Sequence, residues 1–231
     1  MDPETSKLVE KAIEELKNGR FILLYDFADR EGETDFAIRS DAVNPRDILR
    51  MRKDGGGLIC TSIHSKAAEL MGLPFASDAL RMTKIAEREG DIPYDKENHS
   101  SFSLWVNHCD TYTGIPDNDR ALTANRLAEH VKQAMAGTPL EFRSEFRTPG
   151  HMATLRANDK LLDKRRGQTE LSIALAQLGG FTPCVTICEM LDDNTGKALT
   201  KADAEAYAKK NGFVFVGGKE VVEYWEAHKV Y

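Results

Sequence analysis

Four segments of this chain hold side chains whose types and spacing can do chemistry. The first reads Asp29-Arg30-Glu31-Gly32-Glu33-Thr34-Asp35, four carboxylates and one guanidinium in seven positions. Carboxylate oxygens are the donors that hard cations such as Mg²⁺ prefer, and Gly32 permits a turn that aims its neighbours inward. A solvated charged loop has the same composition. The second is Arg147-Thr148-Pro149-Gly150-His151, where Pro-Gly predicts a tight turn that delivers a histidine just ahead of an apolar stretch. That histidine is either an acid/base group or a core histidine with a satisfied hydrogen bond. The third is Lys164-Arg165-Arg166-Gly167-Gln168-Thr169-Glu170, at the start of a predicted helix. Backbone N–H groups at a helix start attract anions, and two guanidiniums add bidentate contacts; an exposed basic turn is the plain alternative. The fourth, Thr186-Ile187-Cys188-Glu189, puts a carboxylate at the end of an apolar strand. It is paired or has a raised pKa, as at many active sites, or it points to water.

These segments are spaced by predictable elements. Leu8, Val9, Ala12, Ile13 and Leu16 share a helical face, with Thr5 or Ser6 as candidate cap and Gly19 as stop. Phe21–Tyr25 reads as a buried strand and residues 36–39 as a second. Asn44-Pro45 opens a short helix by cap and N1 chemistry. Residues 58–63 predict a strand and 65–71 a helix that stops at Gly72 and Pro74. Residues 75–100 carry no clear pattern. The alternation of Phe102, Leu104 and Val106 predicts a half-buried strand. A polar loop, 108–118, then precedes a helix over 119–135 that Gly137 and Pro139 close. A short strand over 151–155, a helix over 168–178 ending at Gly179-Gly180, and a strand over 183–190 follow. The chain continues with a turn at 192–196, a helix capped by Thr200, a strand at 213–216 and a final helix from Gly218. Strands and helices intersperse without strict alternation, which predicts a single α+β domain over 1–231 around a mixed twisted sheet.

Composition excludes some classes. With a net charge of −6 and 29% charged residues, the chain lacks the basic surface that holding a nucleic-acid backbone needs. No apolar run approaches the length of a membrane span, and the polar start Met1-Asp2-Pro3-Glu4 is unlike a secretory signal. A cytoplasmic location is the expectation. The four cysteines, Cys60, Cys109, Cys184 and Cys188, have no zinc-ribbon spacing and read mostly as small core residues.

Taken in order, the segments resemble the 3,4-dihydroxy-2-butanone 4-phosphate synthase family over nearly the whole chain. The D-R-E-x-E-x-D loop is matched at Asp29–Asp35 and T-G-x-x-x-x-D-R at Thr113-Gly114 with Asp119-Arg120. R-x-P-G-H is matched at Arg147–His151 and I-C-E at Ile187–Glu189, while Gly56-Gly57 and Cys60 fit a glycine-then-cysteine strand. One position departs: the family's G-H-T-E is Gly167-Gln168-Thr169-Glu170 here, so an amide stands where the resemblance implies a metal-binding imidazole.

The resemblance implies a three-layer α/β/α lyase. It would convert ribulose 5-phosphate to 3,4-dihydroxy-2-butanone 4-phosphate and formate for riboflavin biosynthesis, with Mg²⁺ or Mn²⁺, two ions per site. It implies metal ligation by Glu31 and by Gln168 at the second ligand position, and proton transfer by His151 and Glu189. Substrate contacts would come from Arg30, Glu31, Asp35, Thr113, Asp119, Arg120, Arg165, Arg166, Gly167, Thr169 and Glu189. Cys60 would line the site. A homodimer with sites at the interface is implied as well, and no nucleic-acid or membrane partner. The rival readings are a non-catalytic or impaired sugar-phosphate-binding paralogue, favoured by Gln168, and an RNA-binding module, which the acidic charge disfavours.

Overall fold

The computed structural model of the chain describes residues 1–83 and 92–229. In chain order the elements are α1 (Pro3–Lys17), β1 (Ile22–Tyr25), β2 (Thr34–Arg39), α2 (Pro45–Asp54), β3 (Cys60–Ile63), α3 (Ser65–Leu70) and α4 (Ala76–Met82). They continue with β4 (Phe102–His108), α5 (Asp117–Met135), α6 (Phe142–Glu145), β5 (Phe146–Arg156), α7 (Gln168–Gly179), β6 (Cys184–Glu189), α8 (Lys201–Asn211), β7 (Val214–Gly217) and α9 (Gly218–His228). The strands form one seven-stranded sheet in the order β4-β5-β3-β6-β2-β1-β7. Its β1/β7 and β3/β5 pairs are parallel and the rest antiparallel, so the sheet is mixed.

Both faces are covered, which gives three layers. Strand alternation sends Leu24, Ala37 and Ile187 to one face, where they pack with Val9 and Leu16 of α1, Leu171 and Leu175 of α7, and Val221 of α9. Their neighbours Leu23, Phe36 and Cys188 face the other way, onto Ile48 and Met51 of α2, Ala124 of α5 and Ala208 of α8. A third cluster joins α3 and α5 to β3 and β4 through Ala67, Leu127, Ile63 and Val106. Burial on both faces is why β1 reads as an unbroken apolar run.

Several local expectations hold. Asn44 caps α2 in a capping box with Asp47, Pro45 opens that helix, and Thr200 Oγ1 caps α8 by accepting the Asp203 N–H. Others are corrected. The cap of α1 is Asp2, because Pro3 already takes the first helical position, and Thr5 and Ser6 lie inside the helix. Pro149-Gly150 is not a turn. The Thr148–Pro149 bond is cis and the segment runs within β5, which is eleven residues long and not the short strand over 151–155. A Cβ on Gly150 would stand 2.1 Å from the carbonyl carbon of Val106, so the missing side chain lets β5 lie against the backbone of β4 where the pairing shifts from Val106–Met152 to Asn107–Arg147 and 148–151 bulge out of register. The unpatterned stretch 75–100 contains α4, and its part 84–91 lies outside the described residues.

For the site, the consequence is register. The antiparallel β2–β6 pair sets Asp35 opposite Glu189, β3–β6 sets Cys60 opposite Ile187, and β3–β5 sets Cys60 beside Ala153. The starts of β2 and β3, the end of β6 and the segment of β5 that begins at Ala153 therefore gather at one end of the sheet.

Candidate active site

At that end opens a cavity of about 190 Å³. Its acidic wall is Glu31, Glu33, Asp35 and Glu189, its polar wall Arg165, Gln168 and Thr169, and its floor includes Cys60, Leu155 and Ile187. Tyr94, Ser100, Ser101 and Phe102 close the remaining side.

The acidic loop is shaped by Asp26, which is 2% exposed. Its carboxylate accepts the backbone N–H of Glu31 at 3.1 Å and of Glu33 at 3.0 Å, and pairs with Arg30 Nη1 at 3.2 Å. Gly32 takes the left-handed conformation, φ +69°, that closes the loop. Glu31 and Glu33 are thereby turned toward the strand ends, where Asp35 and Glu189 already stand side by side.

Four carboxylates in a partly dry space resist ionisation together. Burial, then repulsion from Glu31 and Glu189, pushes the Glu33 carboxyl up to about 7. Burial followed by the Glu189 and Glu31 charges raises Asp35 well above the usual carboxylate range. Neither Asp35 oxygen has a hydrogen-bond partner. Glu189 is raised chiefly by burial, with Glu31 adding to it. Burial also keeps Cys60 a neutral thiol, which suits a lining residue and not a nucleophile.

Opposite the acids, α7 begins. Gln168 Nε2 donates to the carbonyls of Leu24 at 3.0 Å and Glu33 at 3.1 Å. Two carbonyl acceptors require the nitrogen on that side, which fixes the amide and leaves Oε1 as a buried acceptor without a partner. Next to it, Gly167 makes room for two cations: a Cβ there would meet Arg165 Nη1 at 2.5 Å and Arg30 Nη2 at 2.8 Å. The Arg165 guanidinium is held by the fully buried Glu170, whose other oxygen accepts the Asn158 N–H at 2.9 Å. Arg165 and Tyr94 also line an adjoining cavity of about 300 Å³ that takes in Arg30, Lys164 and Arg166. Asp29, Asp95 and Glu97 line that cavity as well, and Asp95 lies 3.9 Å from Arg30 Nη2 and 3.8 Å from Arg165 Nε, so an anion held at this helix start would share the two guanidiniums with Asp95.

The donor set suits a hard divalent cation. Glu31 and the free Oε1 of Gln168 are oxygen donors, and Mg²⁺ is commonly held by one or two protein oxygens with water and substrate completing its octahedron. Among the described residues no group of three or more His, Cys, Asp or Glu side chains is placed to hold a metal ion by itself.

Of the residues singled out in the sequence, the fold brings Glu31, Asp35, Arg165, Gln168, Thr169 and Glu189 to the main cavity. Arg30 and Arg166 line its neighbour, with Gly167 between the arginines. Thr113, Asp119, Arg120 and His151 line neither cavity. Asp119 accepts the N–H groups of Thr113 and Gly114, at 3.2 and 2.8 Å, and so shapes the middle loop. Arg120 is buried beside Asp117, at 3.5 Å. His151 is exposed, bonded to Asn107, so it is not a core histidine. Sequence reasoning passed over Glu33, although it sits in the acidic motif, and Tyr94, Ser100 and Ser101, which come from the unpatterned stretch.

A family model described as 3,4-dihydroxy-2-butanone 4-phosphate synthase matches residues 10–224. A protein of that name from Archaeoglobus fulgidus is 52% identical over 224 residues, spanning 94% of this chain and 93% of its own length. One from Methanosarcina mazei is 48% identical over 223 residues, spanning 93% and 90%. Among solved structures, a 3,4-dihydroxy-2-butanone 4-phosphate synthase in complex with two magnesium ions superposes with a TM-score of 0.79 at 26% identity, covering 95% of this chain and 96% of that one. The Candida albicans synthase gives 0.76 at 28% identity, covering 96% and 97%.

Removing one partner of a buried ion pair strands the other charge. Glu170→Ala, which strands Arg165, is expected to lower the unfolding free energy by about 3–5 kcal/mol in urea titration followed by circular dichroism.

Proposed function

The chain belongs to the 3,4-dihydroxy-2-butanone 4-phosphate synthase family, and we propose that as a single synthase domain over 1–231 it converts ribulose 5-phosphate to 3,4-dihydroxy-2-butanone 4-phosphate and formate. The family places it among the lyases of riboflavin biosynthesis. The observation that carries the finer reading is the convergence, from three separate segments, of Glu31, Asp35, Arg165, Gln168 and Glu189 on one cavity.

The phosphate sits against Arg165 at the start of α7, with Arg30 and Arg166 on its far side. Asp35 and Thr169 face the sugar chain. Glu33, raised to about 7, can hold or release a proton near neutral pH, as a reaction that moves protons repeatedly requires, and burial raises Glu189 in the same direction. Glu31 and Gln168 Oε1 are the groups that would hold Mg²⁺ or Mn²⁺, and one or two such ions supply polarisation of the ketone and its neighbouring hydroxyls. Tyr94 and Phe102 wall the cavity and limit water on that side.

His151, the other proton-transfer residue in this reading, is exposed at the same end of the sheet, with Thr113 nearby. Trp105, Tyr112 and Ile115, at 40, 97 and 50% exposure, surround that region with uncovered apolar surface. This supports a homodimer in which one copy's His151 and middle loop, with Asp119 and Arg120 behind it, complete the cavity of the other.

Three outcomes test the proposal. With Mg²⁺ present, purified protein is expected to release formate from ribulose 5-phosphate, and Glu31→Gln is expected to stay folded while losing at least about a hundredfold in kcat, given several kcal/mol from metal polarisation. Metal binding without formate across several divalent cations would instead favour the impaired sugar-phosphate-binding reading. Mixing the inactive Glu31→Gln and His151→Ala proteins is expected to restore part of the activity if sites are shared between copies; no recovery after confirmed subunit exchange would place each site within one chain. Finally, neutral imidazole is a common ligand for transition-metal ions, whereas an amide carbonyl is a harder and weaker donor. Gln168→His is therefore expected to lower the Mn²⁺ concentration that half-fills the site, read from the free-Mn²⁺ electron paramagnetic resonance signal. The corresponding gain in formate release should appear mainly at low metal. Superimposable titrations would put position 168 outside the metal shell.

A further inference from the structure

Asn107 stands where three parts of the molecule meet. It lies near the end of β4, paired with Arg147 of β5. Its Oδ1 accepts the backbone N–H of His151 at 2.7 Å, and its Nδ2 donates to the carbonyl of Thr113 at 3.3 Å. Those two bonds fix the amide, since an N–H must meet the oxygen and a carbonyl must meet the nitrogen. Thr113 in turn is held with Gly114 by Asp119. One side chain therefore ties the strand, the middle loop and the histidine segment together.

The surroundings are built around that side chain. Gly114, at φ +91°, approaches so closely that a Cβ would fall 2.2 Å from the Asn107 amide. A Cβ on Gly150 would come 2.3 Å from the Asn107 backbone nitrogen. Both glycines bring backbone to positions that a larger residue would block.

The imidazole of His151 rests on the same amide. Its Nδ1 lies 3.3 Å from Asn107 Oδ1 and 3.2 Å from Nδ2. Nε2 is the ring nitrogen left for other partners. A histidine that takes up and returns a proton through Nε2 must keep a proton on Nδ1 in both states, and that proton needs an acceptor. Oδ1 is an acceptor within reach, and a carbonyl oxygen has a second lone pair beside the one used by the His151 N–H.

We propose that Asn107 is the positioning residue for His151: its Oδ1 accepts Nδ1–H, fixes the ring and leaves Nε2 as the proton-exchanging nitrogen. The inference rests on the reading of His151 as a proton-transfer group. The proton passes between a substrate atom and Nε2, while the Nδ1 proton stays on the ring throughout. Asn107 itself touches no reacting atom.

The experiment compares Asn107→Ala, Asn107→Asp and His151→Ala with the parent protein, all confirmed folded by circular dichroism. The ring tautomer of ¹⁵N-histidine-labelled protein is read by NMR, and kcat and KM by formate release from ribulose 5-phosphate with Mg²⁺. The parent is expected to hold the Nδ1–H tautomer and Asn107→Ala to lose it. In Asn107→Ala, kcat is expected to fall about ten- to a hundredfold, part of what an acid/base group supplies, with KM little changed. Asn107→Asp retains an acceptor oxygen and is expected to recover the tautomer and much of kcat. An Asn107→Ala, His151→Ala double variant is expected to be no slower than His151→Ala alone. An Nε2–H tautomer in the parent, or normal turnover in Asn107→Ala while His151→Ala is inactive, overturns the role of Asn107 and leaves the functional reading standing. Full turnover in His151→Ala overturns both.

Discussion

The site depends on one backbone constraint, the antiparallel hydrogen bonding of β2 to β6 that sets Asp35 directly opposite Glu189. Residues opposed in this way share a face of the sheet and stand about 5 Å apart. Two carboxylates so placed, in a space that excludes much of the water, cannot both ionise freely. Asp26 then folds the acidic loop back over the same end, adding Glu31 and Glu33. The raised Asp35, Glu33 and Glu189 are the electrostatic result. A cavity of this kind favours a bound cation or retained protons.

The opposite wall balances that charge without cancelling it. Gly167 admits Arg30 and Arg165 to the same point, and each is held from behind by an acid, Asp26 for one and Glu170 for the other. The guanidiniums are therefore oriented before any anion arrives, which reduces the ordering cost of binding. Gln168 couples the two walls, because its Nε2 ties α7 to both β1 and the acidic loop while its Oε1 stays buried without a partner. An amide serves both ends of that arrangement with one fixed orientation.

The β4–β5 end has a different character. It is exposed, apolar around its rim and organised by the side-chain amide of Asn107 instead of buried charge.

Much of this was legible in the sequence. The Asp29–Asp35 loop, the Arg165–Thr169 helix start and the Glu189 strand end announce themselves because each is a local cluster whose residue types have few structural uses. The buried strands and capped helices follow from apolar runs and from Asn44-Pro45 and Thr200, where a single residue fixes the local backbone. Other features could not be read that way. Pro149-Gly150 has the composition of a turn, yet lies in a strand because Gly150 packs on the backbone of β4, forty-four positions away in sequence from the start of that contact at Val106. Tyr94, Ser100 and Ser101 reach the cavity from a stretch without periodicity. The orientation of Gln168 and the hold of Asn107 on His151 join residues distant in sequence and turn on which atom of an amide faces which partner. Sequence determined which chemical groups this protein carries and the local elements that bear them, because propensity, caps and periodicity act over a few residues. Only the tertiary structure decided which groups meet, because strand order and register bring together residues that no local rule connects.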